Sequence, residues 1–192
     1  MADKKLVMGV GKNTERVKFN GVHTKEYLLW RSMLFRCYND KNMKKNDCYK
    51  ICHVAEEWLD FTTFKNDIRE MVGFNRDGWH LDKDILKKGN NVYSKDTCCF
   101  VPKEINTMLT YRKTGTNPNF VGVTKIFCNS FVRYKVMSRD GGKSVYLGRF
   151  TSETEARNAY VLFKKSVISK IAEKYKAEID TAVYNALINF EI

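Results

Sequence analysis

The chain of 192 residues carries 34 Lys and Arg against 22 Asp and Glu, for a formal charge of +12 and a pI near 9.4. Such an excess of cations is the electrostatic footprint of a phosphate-bearing partner, and double-stranded DNA is the first to consider. No apolar run is long enough to cross a bilayer and the N-terminus, MADKKLVMGVGKN, lacks the apolar core of an export signal. These features argue against a membrane protein and predict a cytoplasmic one.

Length and 43% hydrophobic content suit one domain or two small ones. Residues 1–22 are rich in Gly, Lys and Asn without periodicity and read as a loosely packed arm. From Thr24, a plausible N-cap, Tyr27, Trp30, Met33, Leu34, Cys37 and Tyr38 recur at helical spacing and predict an amphipathic helix. A polar loop over 39–50 then leads to a second helix near Ala55 to Met71, with Trp58, Phe61, Phe64 and Ile68 as its buried stripe. The turn Asn75-Arg76-Asp77-Gly78 delivers the chain to Trp79. Six cysteines in a chain without an export signal predict buried free thiols rather than disulfides. Cys48, Cys52 and His53 lie close together, but the spacing is Cys-x-x-x-Cys and no second such pair exists, so a structural zinc is not expected.

Residues 79–106 combine ionisable groups with turn and strand signals. His80 to Ile85 alternates polar and apolar residues, which predicts a strand with His80, Asp82 and Asp84 on one face. Lys88-Gly89-Asn90-Asn91 predicts a turn, because Gly and Asn tolerate positive φ. Val92-Tyr93 with Thr97 to Val101 then predicts a return strand, and Pro102 the first turn of a helix carrying Glu104, Asn106 and Met108. On the residues alone, Asp82 and Asp84 also suit strand-end carboxylates paired with Lys83, Lys87 or Lys88.

This order, with Leu81-Asp82-Lys83-Asp84, Gly89-Asn90, Tyr93-Ser94, Cys98-x-Phe100-Val101-Pro102 and Asn106, resembles the ββα-metal core of the HNH endonucleases. The likeness is to small phage homing-type enzymes in particular. The resemblance implies one divalent cation, Mg²⁺ or another, held by Asp82 and Asn106. Lys83 falls where the general-base histidine usually sits, and Thr97 where many relatives have a second asparagine. His80 is then the displaced base, sharing a strand face with Asp82, and Asn90 or Asn91 its orienting partner. Phosphodiester hydrolysis needs such a set: a base titrating near neutrality, and a cation against charge building on phosphate and leaving oxygen.

Arg112-Lys113-Thr114-Gly115-Thr116-Asn117-Pro118-Asn119 reads as a linker over 112–119. Beyond it, strands near Val121–Ile126, Phe131–Met137 and Ser144–Arg149 are separated by turn signals and followed by a long helix from Thr151, where Ser152 or Thr151 forms a capping box with Glu155. Arg133-Tyr134-Lys135-Val136, Tyr146-Leu147-Gly148-Arg149-Phe150 and Glu155-Ala156-x-x-Ala159-Tyr160 are similar to an AP2 domain, which implies a three-stranded sheet presenting cations and aromatics to the major groove. Residues 111–176 hold 14 Lys or Arg and 4 Asp or Glu, a net of +10. Arg112, Lys113, Lys125, Arg133, Lys135, Arg139, Lys143 and Arg149 are the predicted DNA contacts. Residues 177–192 lack Lys and Arg and predict a final helix that packs on a domain, on a second copy in a homo-dimer, or on another protein.

The expected architecture is thus α+β, with a helical scaffold and HNH-like core over 1–111, a linker, an AP2-like domain over 120–176 and a C-terminal helix over 177–192. The resemblance implies a phage-encoded endonuclease acting in the host cytoplasm. Its alternative is a DNA-binding regulator or inhibitor that keeps the surfaces without cutting.

Overall fold

The computed structural model describes residues 6–45, 50–109, 121–128 and 131–192. They form a mixed α+β chain that divides into two compact units, Met1–Val101 and Pro102–Ile192.

In the first unit, α1 (Lys25–Tyr38) begins where the Thr24 hydroxyl accepts from the Tyr27 amide at 3.3 Å. Trp30, Met33, Leu34 and Cys37, at i, i+3, i+4 and i+7, form its buried stripe. The expected second helix is split. Glu56–Leu59 makes a 3-10 turn, and the Asp60 carboxylate then accepts from the Thr62 and Thr63 amides to start α3 (Phe61–Glu70). A second cap inside the segment is what divides it. Trp58, Phe61, Phe64 and Ile68 meet the α1 stripe in one core, each such side chain contributing about 1.5–3 kcal/mol on burial. The polar atoms of the largest rings are satisfied: the Trp30 indole donates to the Trp58 carbonyl at 2.7 Å, and the Trp58 indole to Asp67 at 2.8 Å.

Two expectations fail in this unit because non-local contacts override weak local signals. The N-terminal segment is not a loose arm over its described part. Lys12 donates to the Leu59 carbonyl and accepts from the Phe61 amide, and Val7, Met8, Val10 and Val17 pack on the core. A Cβ at Gly11 would lie 2.5 Å from Leu34 and 2.8 Å from Trp30, so glycine is required there for close approach. Lys18–Phe19 (β1) and Val22–His23 (β2) add a short hairpin. The polar stretch after α1 contains a helix, α2 (Asp40–Lys45), opened by the Asn39 side chain accepting from the Asn42 amide at 3.1 Å.

His53–Val54 (β3) pairs in parallel with Val92–Tyr93 (β5), while Trp79–Asp82 (β4) pairs with Cys99–Pro102 (β6). The predicted return strand is therefore two separate elements. The interruption is a turn in which the Thr97 and Cys98 amides both donate to the Ser94 carbonyl. The predicted strand over His80 to Ile85 likewise ends at Asp82.

The second unit opens with α4 (Lys103–Leu109), so this helix groups with the C-terminal sheet. Val123–Cys128 (β7), Phe131–Asp140 (β8) and Lys143–Phe150 (β9) form an antiparallel sheet in that order, covered on one side by α5 (Glu153–Tyr175). Val123, Val136, Ala156 and Tyr160 form its core, with Tyr134, Leu147 and Phe150 packed around them. Gly122, at φ +79, lies so close to the Tyr160 ring that a Cβ would collide with it. The final helix, α6 (Thr181–Ile188), is capped by Asp180, buries Val183 and Leu187, and packs on α5, with the Tyr184 hydroxyl donating to Glu173. Three bonds tie α4 to α5: Lys164 Nζ donates to the Met108 carbonyl at 2.7 Å, and Lys174 and Tyr175 donate to Glu104 at 2.5 and 2.8 Å. No helix among the described residues is long and apolar enough to cross a membrane.

Candidate functional site

The stretch after β4 is built from reciprocal hydrogen bonds. Asp82 Oδ1 accepts from the amides of Asp84 and Ile85 at 2.7 and 3.0 Å, closing a turn at the strand end. Asp84 is thereby taken out of the strand, so the predicted row of His80, Asp82 and Asp84 is reduced to His80 and Asp82. Burial pushes the Asp82 carboxyl above its usual range, against the lowering effect of those two amides.

Lys83 points inward and is 7% exposed. Its ammonium donates to Asp84 at 2.7 Å and to the Asn90 carbonyl at 2.6 Å, with the Tyr93 ring centroid 5.8 Å away. Burial works against its charge, but Asp84 more than compensates, and the group is held above the ordinary lysine value. In its protonated form an ammonium has no lone pair with which to take a proton. Lys83, predicted among the catalytic residues, is thus engaged with Asp84 and with the Asn90 carbonyl across the loop.

Asn90, also 7% exposed, bonds within the loop: its amide donates to the carbonyls of Lys83 and Val92, and its oxygen accepts from the Val92 amide. Thr97 pairs with Ser94 at 2.9 Å and donates to the Val92 carbonyl. His80 is exposed on β4, two residues from Asp82 and hence on the same side of the strand. Asn106 lies on α4, in the second unit. Among the described residues no group of three or more His, Cys, Asp and Glu side chains could hold a metal ion. Cys37, Cys52, Cys98 and Cys99 are buried free thiols, with burial pushing Cys37 and Cys98 to about 12. Cys48 lies outside the described residues.

The three-stranded sheet collects the other candidates. Val123 faces Val136 on the α5 side, and alternation from that anchor fixes every other side chain. Arg133, Lys135 and Arg139 alternate along the opposite, open face of β8. Arg149 sits directly opposite Lys135, and Tyr146 opposite Met137. Tyr146 and Arg149 are three apart, which would put them on opposite faces of a regular strand. A bulge between the Val136–Gly148 and Met137–Tyr146 pairs, with Gly148 at φ +132, brings both to the open side while Leu147 and Phe150 pack toward α5. The only carboxylate between Val121 and Phe150 is Asp140, which reaches Lys170 of α5 at 3.4 Å. The open face thus holds four cations and no acid.

Lys125 pairs with Tyr134 and so projects on the α5 side, away from the four cations. Lys143 pairs with Asp140 at the Gly141-Gly142 turn. Arg112 and Lys113 lie outside the described residues. The sequence reading did not select Phe131 and Tyr146, which are 66% and 54% exposed on the open face. For Phe131 the signal was present, since it alternates with Arg133 and Lys135. Tyr146 was hidden by the bulge.

Compared with known proteins, the chain matches no family model, no curated protein and no solved structure at a significant level.

Proposed function

We propose that this chain binds double-stranded DNA through the open face of the β7-β8-β9 sheet, in the manner of the AP2-like domain that its sequence resembles. One observation carries the reading: Lys135 lies directly opposite Arg149 on a face that also bears Arg133 and Arg139 and lacks any carboxylate. Like charges in register across two strands disfavour the sheet, by on the order of 0.2–1 kcal/mol. A polyanion turns that cost into attraction, because each phosphate neutralised releases counterions. The test is duplex binding by the full chain across a salt series. Log affinity should fall steeply with log salt, and Arg133→Gln with Lys135→Gln should flatten the slope by about two if both meet phosphate. Absence of duplex binding at low salt ends this reading.

A second reading, cleavage of the bound DNA, draws on His80 and Asp82 sharing one side of β4 and on the chain order β4, β6, α4. The donor set suits Mg²⁺, which keeps most of its water and needs only one or two carboxylates. Asp82 supplies one, since an oxygen that caps the turn leaves the carboxylate further lone pairs. A bound cation would acidify water and offset charge on the phosphate. His80, exposed on β4, would take the proton. Plasmid incubated with Mg²⁺ should then be nicked or linearised, and EDTA or Asp82→Ala should abolish this. Intact plasmid under all conditions would leave a binding protein that does not cut.

A further inference from the structure

We infer that Phe127 and Phe131, at the adjoining ends of β7 and β8, form an apolar wedge that enters the base stack of duplex DNA and bends it; the inference rests on the DNA-binding reading above. Phe127 is 76% exposed and Phe131 66% exposed. Scattered apolar side chains at a surface need no explanation, but these two belong to one structural feature. The register pairs Phe127 with Val132 and Cys128 with Phe131, so the two rings stand at the same end of the strand pair on opposite sides of it.

Each ring has a cation beside it. Arg133 lies 5.9 Å from the Phe131 ring centroid and Lys125 lies 5.7 Å from that of Phe127. Phe131, Arg133 and Lys135 run along the open face as a single row, ring first. At the rise of a strand, Arg133 and Lys135 stand about 7 and 14 Å from Phe131. With phosphates about 3.4 Å apart along the axis of each strand, that row spans roughly two to four base steps. A ring inserted at one step would therefore leave both cations within reach of the flanking phosphates.

This combination selects the occupant. A hydrophobic protein partner would bury the rings but leave the adjoining cations facing a surface of no specified charge. Duplex DNA offers apolar base faces bordered by anions, which is the complement of an aromatic ring bordered by Arg and Lys. Apolar wedges of this kind unstack one step and kink the duplex by about 20–90°, in exchange for a larger wrapped surface. Lys125, on the α5 side of the sheet, acquires a role here that it lacks on the flat face: DNA bent around this end of the strand pair would meet it.

The experiment uses the full chain and a duplex of about 20 base pairs, well under the persistence length of about 150. Donor and acceptor dyes sit at opposite ends, EDTA prevents cleavage, and anisotropy on the same duplex reports binding. Wild-type protein should bind and raise energy transfer. Phe127→Ala with Phe131→Ala should still bind, within about tenfold of wild type, while transfer falls back toward that of free DNA. Phe131→Trp, which keeps an aromatic wedge, should retain the bend. If wild type binds without changing transfer, or the double alanine variant bends DNA as wild type does, the wedge is wrong while DNA binding stands. If wild type fails to bind the duplex, both inferences fall.

Discussion

Lys83 and Asn90 bind each other twice: the Lys83 ammonium donates to the Asn90 carbonyl at 2.6 Å, and the Asn90 side-chain amide donates to the Lys83 carbonyl at 2.8 Å. The pair holds the turn after β4 closed around a buried positive charge. At two positions where the resemblance implies catalysis, these side chains are occupied with structure.

That reciprocity predicts a large stability effect at Asn90. Asn90→Ala removes two donors and an acceptor and leaves the Lys83 and Val92 backbone groups without them. With an unsatisfied buried group costing about 1–3 kcal/mol, the expected loss is roughly 2–4 kcal/mol in urea unfolding. A loss below about 0.5 kcal/mol, the range of ordinary surface substitutions, would show that the loop is not held this way.

Glycine 73 offers a steric test. Gly73 has φ +91, and a Cβ there would collide with the Trp79 ring and come within 3.1 Å of Phe100. Gly78 has φ +74 but open space around its Cβ position. Gly78→Ala should cost only the backbone term of about 1–2 kcal/mol. Gly73→Ala should add an overpacking term of about 1–3 kcal/mol. Thermal or denaturant unfolding of the two variants, side by side, separates conformational strain from collision.

Acid should weaken the first unit through Glu26. Its carboxylate accepts two bonds from Arg69, at 2.8 and 2.6 Å. Burial alone would raise its pKa, but its own backbone amide and Arg69 prevail and hold it below the usual carboxylate range. A depressed folded pKa means that the stabilisation is complete above the unfolded value, near 4.5, and is lost as pH falls through the folded one. The unfolding free energy of wild type should therefore drop more steeply with falling pH, from about 5 downward, than that of Glu26→Gln. Parallel pH profiles would exclude the linkage.

Stability and binding should oppose one another at Arg149. Arg149→Gln removes the like-charge pair with Lys135, and should raise stability without DNA by a few tenths of a kcal/mol while weakening duplex binding. Circular dichroism melts and anisotropy titrations on the same preparation measure both. A variant less stable than wild type would show that Arg149 contributes packing through its aliphatic stem.

The parts of the fold legible in the sequence are those with local signals. Asp140-Gly141-Gly142 marks the β8–β9 turn, alternation marks Arg133 and Lys135, and Thr24 marks the start of α1. What escaped is non-local or breaks a period. The β3–β5 pair joins two-residue strands far apart in sequence, and nothing in either names its partner. Gly11 matters through the side chain it lacks, which only the position of Trp30 reveals. Nothing in the sequence marks Lys83 as buried, since Lys normally lies at the surface. Its burial depends on Asp84 and on Asn90 folding back across the loop. At Gly148 the bulge defeats the two-residue repeat, so Tyr146 and Arg149 share a face that alternation denies them.

The grouping of α4 with the C-terminal sheet bears on how such a chain can be cut and recombined. A boundary drawn at the Gly- and Pro-containing stretch would sever α4 from the residues that hold it, leaving Lys164 without the Met108 carbonyl and Tyr175 without Glu104. The compact C-terminal unit begins instead at Pro102, immediately after the buried residues Cys99 to Val101. A recombination event that respected these contacts would carry α4 along with the β7-β8-β9 sheet and α5.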